Sequence, residues 1–312
     1  MFHAGQVGGG RRLDVSVVVP CFNGERYVRN CLAALSAQTY PKDSYEVILV
    51  NDGSSDRSAE LARDYPVTVI DSKGRGSYAA RNAGVLASSG PLLAFTDADC
   101  EVGPTWLEGI VAAMEEPRIA LLLGPRRFAK ETPILSSIAA FENEKTSFVL
   151  SQEDRRLYYG YTNNMAVRRT TFDRVGPFAE IERGADVVLV ARTLEAHGCS
   201  AVRFSPGMQI RHLEIARWYD WHRKMFIYGQ SYRKYHRLSG TRPLSYPDRF
   251  EVLRRTVDRN GYGPLRSALL FVSCVAASAA YGLGRILGGT PLEAPRGEGS
   301  PAVSRLARQD TT

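Results

Sequence analysis

A chain of 312 residues that is 44% hydrophobic and 23% charged has the apolar content for a sizeable core, which excludes global disorder. A net charge of +7 and a pI near 9.2 make it basic, but not so basic as to demand a nucleic-acid partner. The five cysteines (Cys21, Cys31, Cys100, Cys199, Cys274) form no C-x-x-C pair, which argues against a zinc ribbon or a disulfide scaffold and for a reducing compartment.

Residues 1–12 are Gly-rich and lack the apolar centre of a signal peptide, so a disordered leader is expected. Residues 15–19 are a β-branched run ended by Pro20, the pattern of a strand buried on both faces. Apolar residues at 27/28, 31/32 and 35 then step at helical spacing. Strands are expected at 45–50, 67–70 and 92–96. Helices are expected at 54–64, capped by Ser54 or Ser55, and at 77–87. Strands alternating with helices imply βαβ units and a mostly parallel, Rossmann-like sheet flanked by helices. Beyond Asp99 the alternation loosens. Helices are expected at 104–114, 134–150 and 185–197, and strands at 119–123, 164–167 and 208–212.

Residues 217–239 read as a basic helix. Trp218, Trp221, Met225, Tyr228, Tyr232 and Tyr235 step by three or four along one face. Between 217 and 242, seven Arg and Lys stand against one acid, Asp220. This suits an interfacial membrane helix, or a helix packed on the preceding domain with a solvated basic edge. The uncharged stretch 267–284 would reach about 27 Å as a helix, marginal for a bilayer core of about 30 Å. It would span, lie in the interface or make a dimer contact. From residue 288 onward Gly, Pro, Ser and charge predict a disordered tail. The expected organisation is a catalytic domain at 13–216 and a membrane-associated helical extension at 217–287, between the leader (1–12) and the tail (288–312).

The early strands all run into polar turns. The first leads to Pro20, Asn23 and Glu25, the second to Asn51 and Asp52, the third to a Gly-rich loop and the fourth to Asp97 and Asp99. In an open parallel sheet these ends share one rim, where ligands bind. Turn chemistry alone explains any one of them. Asp97 and Asp99, separated by one residue just past a buried strand, repel each other unless a cation sits nearby. Mg²⁺ or Mn²⁺ with diphosphate oxygens resolves that repulsion.

The segments VSVVVPCFNGERYV, EVILVNDGSSDRS, GSYAARNAGVLASSGPLLAFTDADCEVGPTWLE, TNNMAVRRTTFDRVGPF and RGADVVLVARTLEAHG occur in this order between residues 13 and 215. Together they resemble family 2 glycosyltransferases of the GT-A fold. The resemblance implies an inverting transfer from a nucleoside-diphosphate sugar to an acceptor hydroxyl, assisted by a divalent cation. It places Pro20, Asn23 and Glu25 at the nucleoside, Asp52 on the base, Arg81 on the nucleotide or diphosphate, Asp97 on the ribose side and Asp99 on the metal. His212 falls where such enzymes often ligate the metal. Asp186 falls on the general base, although the Glu that normally precedes it is Ala185 here. Simpler roles stay open: an ion pair on a helix for Arg81, a first-turn acid favoured by the helix dipole for Asp186, a structural imidazole for His212. Asn163 and Asn164 precede a strand that lies beneath the sugar in this family, or are turn residues.

Two other functions are compatible with parts of the sequence. Residues 74–79 match G-x-G-x-x-A, with Asp97 about twenty residues on, as in an NAD(P)-binding oxidoreductase. That match leaves Asp99 and the other strand ends unexplained. Ala185 also admits an inactive sugar-nucleotide-binding protein. Processive synthases carry Q-x-x-R-W and several membrane spans. Residues 214–218 read EIARW, and at most one span is expected. Single-sugar transfer to a glycan or lipid-linked acceptor, on the cytoplasmic face of the membrane, is the expectation.

Overall fold

The computed structural model describes residues 13–288, so the expected leader and the tail beyond Gly288 lie outside the described residues. Strand β1 (Val15–Cys21) is buried at every position, as its β-branched run requires. Helix α1 (Val28–Ser36) covers one side through Val28, Cys31, Leu32 and Leu35. β2 (Tyr45–Asn51), a short α2 (Ser58–Ala62), β3 (Thr68–Asp71), α3 (Ser77–Leu86) and β4 (Leu92–Thr96) complete the alternating half. β1 pairs in parallel with β2 and β4, and β2 with β3, so their carboxyl ends share one edge.

The second half adds β5 (Cys100–Val102), α4 (Trp106–Met114), β6 (Leu121–Leu123), β7 (Arg126–Phe128), α5 (Pro133–Leu150), β8 (Asn164–Arg168), α6 (Arg169–Val175), α7 (Ala185–His197), β9 (Val202–Phe204) and β10 (Ile210–His212). The main sheet has the order β3-β2-β1-β4-β8-β6-β9. β8 runs antiparallel to both neighbours, so the sheet is mixed. A small sheet, β5-β10-β7, lies beside the end of β4 and brings His212 opposite Cys100.

Two expectations need correcting, and one choice left open by the sequence is decided. The helix expected over 54–64 shrinks to Ser58–Ala62, and neither Ser54 nor Ser55 caps it. Their backbone N–H groups are taken by Asn51 Oδ1 (3.0 Å) and Asn23 Oδ1 (2.9 Å), which hold this stretch as a loop against β1. The strand expected from 208 starts at Ile210, because the Met208 carbonyl accepts from the Asn164 side chain. The aromatic stripe is not a free membrane face. In α8 (Trp218–Ser239) Trp221 and Tyr232 are buried, and only Trp218 and Tyr228 stay well exposed.

Two helices follow. α9 (Tyr246–Asn260) opens with a capping box between Ser245 and Asp248. α10 (Pro264–Leu287) contains the uncharged stretch and lies along α8. At their crossing, a Cβ on Gly229 would fall on the Tyr281 carbonyl, and one on Gly284 on the Phe226 carbonyl. Only hydrogen fits there. The opposite face of α10 is bare, with Leu269, Val272, Val275, Leu283 and Ile286 all at least half exposed. Among the described residues α10 alone is long and apolar enough to cross a membrane.

Candidate active site

The shared edge of β1 to β4 assembles a rim of loops. Pro20 is buried within β1. Asn23 and Glu25 follow on the exposed loop, where Asn23 Oδ1 accepts from Ser55 N–H and Glu25 Oε2 from Arg57 N–H (3.3 Å). These two side chains therefore lock the first strand-end loop to the second. Asp52 is buried, and its carboxylate accepts from the Ser72 hydroxyl (2.6 Å), Arg75 N–H (3.0 Å) and Gly76 N–H (2.9 Å). The Gly-rich loop thus closes around a carboxylate of its own chain. The amides that a dinucleotide pyrophosphate would need are already occupied, which ends the oxidoreductase reading of residues 74–79.

Further along the same edge the chain encloses a cavity of about 1070 Å³ lined by Arg81, Asp97, Asp99, Asp186 and His212 among others. Pro20, Asn23, Glu25 and Asp52 lie outside its lining, on the rim. Arg81 is buried in α3; its guanidinium donates to Asp97 and to the Ser77 carbonyl (3.2 Å). Its partner is thus a site carboxylate rather than a surface acid.

Asp99 has no such partner. Burial first, and then the charge of Asp97, push its carboxyl up to about 7. His212 Nδ1 lies 3.7 Å from Asp99 Oδ2 and is buried without a hydrogen-bond partner. Burial and the charges of Lys224 and Arg126 lower the imidazole well below its usual range, so it is neutral, and ligation through Nδ1 requires the tautomer with its proton on Nε2 and Lys224 turned away. A carboxylate destabilised by burial and an orphaned imidazole nitrogen are what a divalent cation would satisfy. Cys100 Sγ is close enough to complete the cluster, but burial pushes its thiol well up, which leaves it protonated.

Asp186 opens α7 at the cavity wall. Gly184 precedes it with φ +89°, and a Cβ there would strike the Tyr235 ring, so glycine is required on both counts. The Tyr78 hydroxyl accepts from Gly184 N–H (3.2 Å) and lies beside Asp186, whose Oδ1 accepts from Val187 N–H (2.9 Å). Burial raises the Asp186 carboxyl despite these bonds and the nearby Arg81, which gives it more proton affinity than an ordinary aspartate. Ala185 is fully buried in the core, so position 185 is a wall and not a ligand contact.

Several site residues escape sequence reasoning. Tyr78, which lies beside Asp186, reads as one more apolar residue of its helix. Lys224 belongs to the basic run, yet it turns inward, with Nζ 2.8 Å from Glu214 Oε2 and 3.2 Å from His212 Nε2. Arg126 lies 3.8 Å over the Tyr161 ring and faces Glu142. Asn163 lines the cavity with its side-chain Oδ1 unpartnered, whereas Asn164 is structural and bonds Trp106 Nε1 (2.9 Å) and the Pro125 carbonyl.

The Glycosyl transferase family 2 model matches residues 16–192. Glycosyltransferase AglE of Haloferax volcanii is 34% identical over 189 residues, 58% of this chain and 62% of AglE. Putative glycosyltransferase EpsH of Bacillus subtilis is 39% identical over 99 residues, 30% of this chain and 28% of EpsH. The chain thus spans under two thirds of the length of these curated relatives. Among solved structures, the mannosyltransferase PcManGT from Pyrobaculum calidifontis, in complex with GDP-Man and Mn²⁺, superposes with a TM-score of 0.56 at 18% identity, over 86% of this chain and 76% of that one. S. aureus TarS 1–349 in complex with UDP-GlcNAc gives 0.53 at 16% identity, over 88% and 91%. With a family match over more than half its length and a fold shared with these structures, the chain belongs to glycosyl transferase family 2 and carries the GT-A fold.

Proposed function

We propose that the protein transfers one sugar at a time from a nucleoside-diphosphate sugar to an acceptor hydroxyl, with inversion, at a membrane surface. The observation that carries this reading is the placement of Asp97, Asp99 and Asp186 on the walls of one cavity at the strand ends. Residues 13–216 form the catalytic domain, and 217–287 an extension whose helices close the cavity.

Each residue has a role in this reading. Pro20, Asn23, Glu25 and Asp52 shape the rim that receives the nucleoside. Arg81 fixes Asp97 toward the ribose, and Asp99 with His212 holds the Mn²⁺ or Mg²⁺. The cation supplies neutralisation of the charge that develops on the leaving nucleoside diphosphate. Asp186 takes the proton of the acceptor hydroxyl, and its raised pKa moves it toward the range where a base is efficient. The Val187 N–H holds that carboxylate in place. Direct attack opposite the leaving group inverts the anomeric carbon, so an α-linked donor yields a β-linked product. Mn²⁺ and the donors GDP-Man, UDP-GlcNAc and UDP-Glc appear with solved structures of this fold, which makes them the first candidates.

Membrane association is supported by the bare apolar face of α10 and by the basic run of α8. Use of sugar nucleotides places the catalytic domain on the cytoplasmic face. Single transfer is supported by the EIARW departure from Q-x-x-R-W and by the lone candidate span among the described residues.

The test is a panel of sugar nucleotides screened for Mn²⁺-dependent release of nucleoside diphosphate, with Asp186→Asn beside the wild type. Transfer falls by on the order of a hundredfold in the variant, the usual worth of a positioned base, while donor affinity holds. Near wild-type transfer by Asp186→Asn would refute the assignment. Turnover itself excludes an inactive sugar-nucleotide sensor.

A further inference from the structure

The cavity continues away from Asp186 between α5, α8, α9 and α10. Its far walls are apolar: Phe141 and Val149 from α5, Leu253 from α9, and Cys274 and Ala277 from α10. Three further lining residues, Phe250, Phe271 and Val275, are at least half exposed. They line the chamber and face the exterior at once, so its mouth opens onto the bare apolar surface of α9 and α10.

Beside the apolar wall the chamber carries three cations, Arg126, Lys145 and Arg249, against one acid, Glu142. Arg126 (3.7 Å) and Lys145 (2.6 Å) share one carboxylate, Glu142. Arg249 also lines the chamber. Its guanidinium donates only to the Leu244 carbonyl (3.2 Å) and the Ser278 hydroxyl (2.8 Å), and it has no carboxylate partner among the described residues. Arg249 is half-buried beside these apolar side chains, and an arriving anion would give it the charged partner it lacks.

We infer that the acceptor is a lipid-linked glycan whose single apolar chain enters between α9 and α10. Its phosphate-type anion meets Arg249 and Lys145, and its sugar hydroxyl reaches Asp186. This inference rests on the proposed transferase reading and names the acceptor class for the same site. Three features support it together: continuity with the catalytic cavity, charge complementarity beside the apolar wall, and an apolar mouth. A purely polar acceptor would leave the apolar chamber unused, and a neutral lipid would leave Arg249 unmatched.

The test uses the full chain and geranylgeranyl phosphate as probe, with geranylgeraniol and inorganic phosphate as controls, read by equilibrium binding in detergent. Geranylgeranyl phosphate binds, geranylgeraniol binds about tenfold more weakly, and inorganic phosphate does not compete at equal concentration. Arg249→Gln costs about tenfold, the worth of one charge-assisted hydrogen bond, and Arg249→Lys restores most of it. Cys274→Trp fills the chamber and lowers binding by tenfold or more. Val275→Glu at the exposed mouth does the same without touching the core. Mn²⁺-dependent binding of nucleoside diphosphate is measured in parallel and is unchanged in all four variants. If that binding is absent from the wild type, the transferase reading fails. If it is present and geranylgeranyl phosphate does not bind, or binds Val275→Glu and Arg249→Gln as well as wild type, the lipid acceptor is overturned. Binding only to anionic vesicles, unaffected by these variants, also overturns it.

Discussion

Replacing Asp99 by Asn separates the cost of the site from its use. The Asp99 carboxyl is pushed up to about 7 from an ordinary value of 3.8, by burial first and by Asp97 second. Such a shift means that the folded chain holds a proton which the unfolded chain releases. The stability of the metal-free wild type therefore falls as pH rises from about 4 to about 7, and is level above that. A rise of roughly three pH units corresponds to about 4 kcal/mol if Asp99 alone bore it. Asp97 shares the repulsion, and partial relaxation of the site absorbs more of it, so about 1–2 kcal/mol is expected. Asp99→Asn removes the charge and keeps the shape. In excess chelator at pH 8 the variant should be the more stable protein, by a few degrees in Tm at about 2–4 °C per kcal/mol. At pH 5 the gap should narrow. Mn²⁺ should raise the wild-type Tm and leave the variant where it was, because binding to the folded state alone stabilises it. Thermal unfolding followed by circular dichroism, with and without Mn²⁺, reads all of this. A variant less stable than wild type in chelator at pH 8, or one that gains as much from Mn²⁺, would refute the reasoning.

Asp52→Ala should free the loop at 72–76 and weaken nucleotide binding by tenfold or more, with proteolysis at that loop as a second readout; unchanged affinity for free nucleotide would remove Asp52 from the site. Tyr78→Phe deletes the hydroxyl that accepts from Gly184 N–H beside Asp186, and should lower kcat by about tenfold at constant donor KM. A fall in donor affinity instead would make Tyr78 part of the nucleotide site. Gly284→Leu drives a side chain into the Phe226 carbonyl and should detach α10 from α8, a loss of about 1–3 kcal/mol or more seen as a lower Tm; an unchanged Tm would mean that the helices do not cross there. Full-length protein should float with anionic vesicles and release with salt, and Leu269→Ser with Val272→Ser on the bare face of α10 should weaken flotation; equal flotation of the double variant would place the contact elsewhere.

Much of the alternating half was legible because its signals are local. β1 and β4 are short apolar runs closed by polar turns, and that pattern needs no partner to be read. The helix expected from residue 54 begins only at Ser58 because Asn23, some thirty residues earlier, takes the amide of Ser55; no window of neighbouring residues contains that bond. β5, β7 and β9 have three residues each, too few for a period to register. α9 carries a local start signal, a capping box between Ser245 and Asp248 with Pro247 in the first turn, but buries only Val252 and Thr256, too few for an apolar period to stand out.

By itself the sequence determined the order of strands and helices up to Asp99, the polar strand ends, and the acids and histidine from which a site could be built. Those follow from residue types at short spacing. Tertiary structure decided which of them meet. Arg81 finds Asp97 because α3 packs on β1 and β2, and His212 reaches Asp99 because β10 pairs with β5 across more than a hundred residues. It also decided that the aromatic stripe of α8 faces inward while the bare apolar surface belongs to α10. A helix has several faces that compete for burial, and the crossing at Gly229 and Gly284, set by close backbone contact, fixes which face wins.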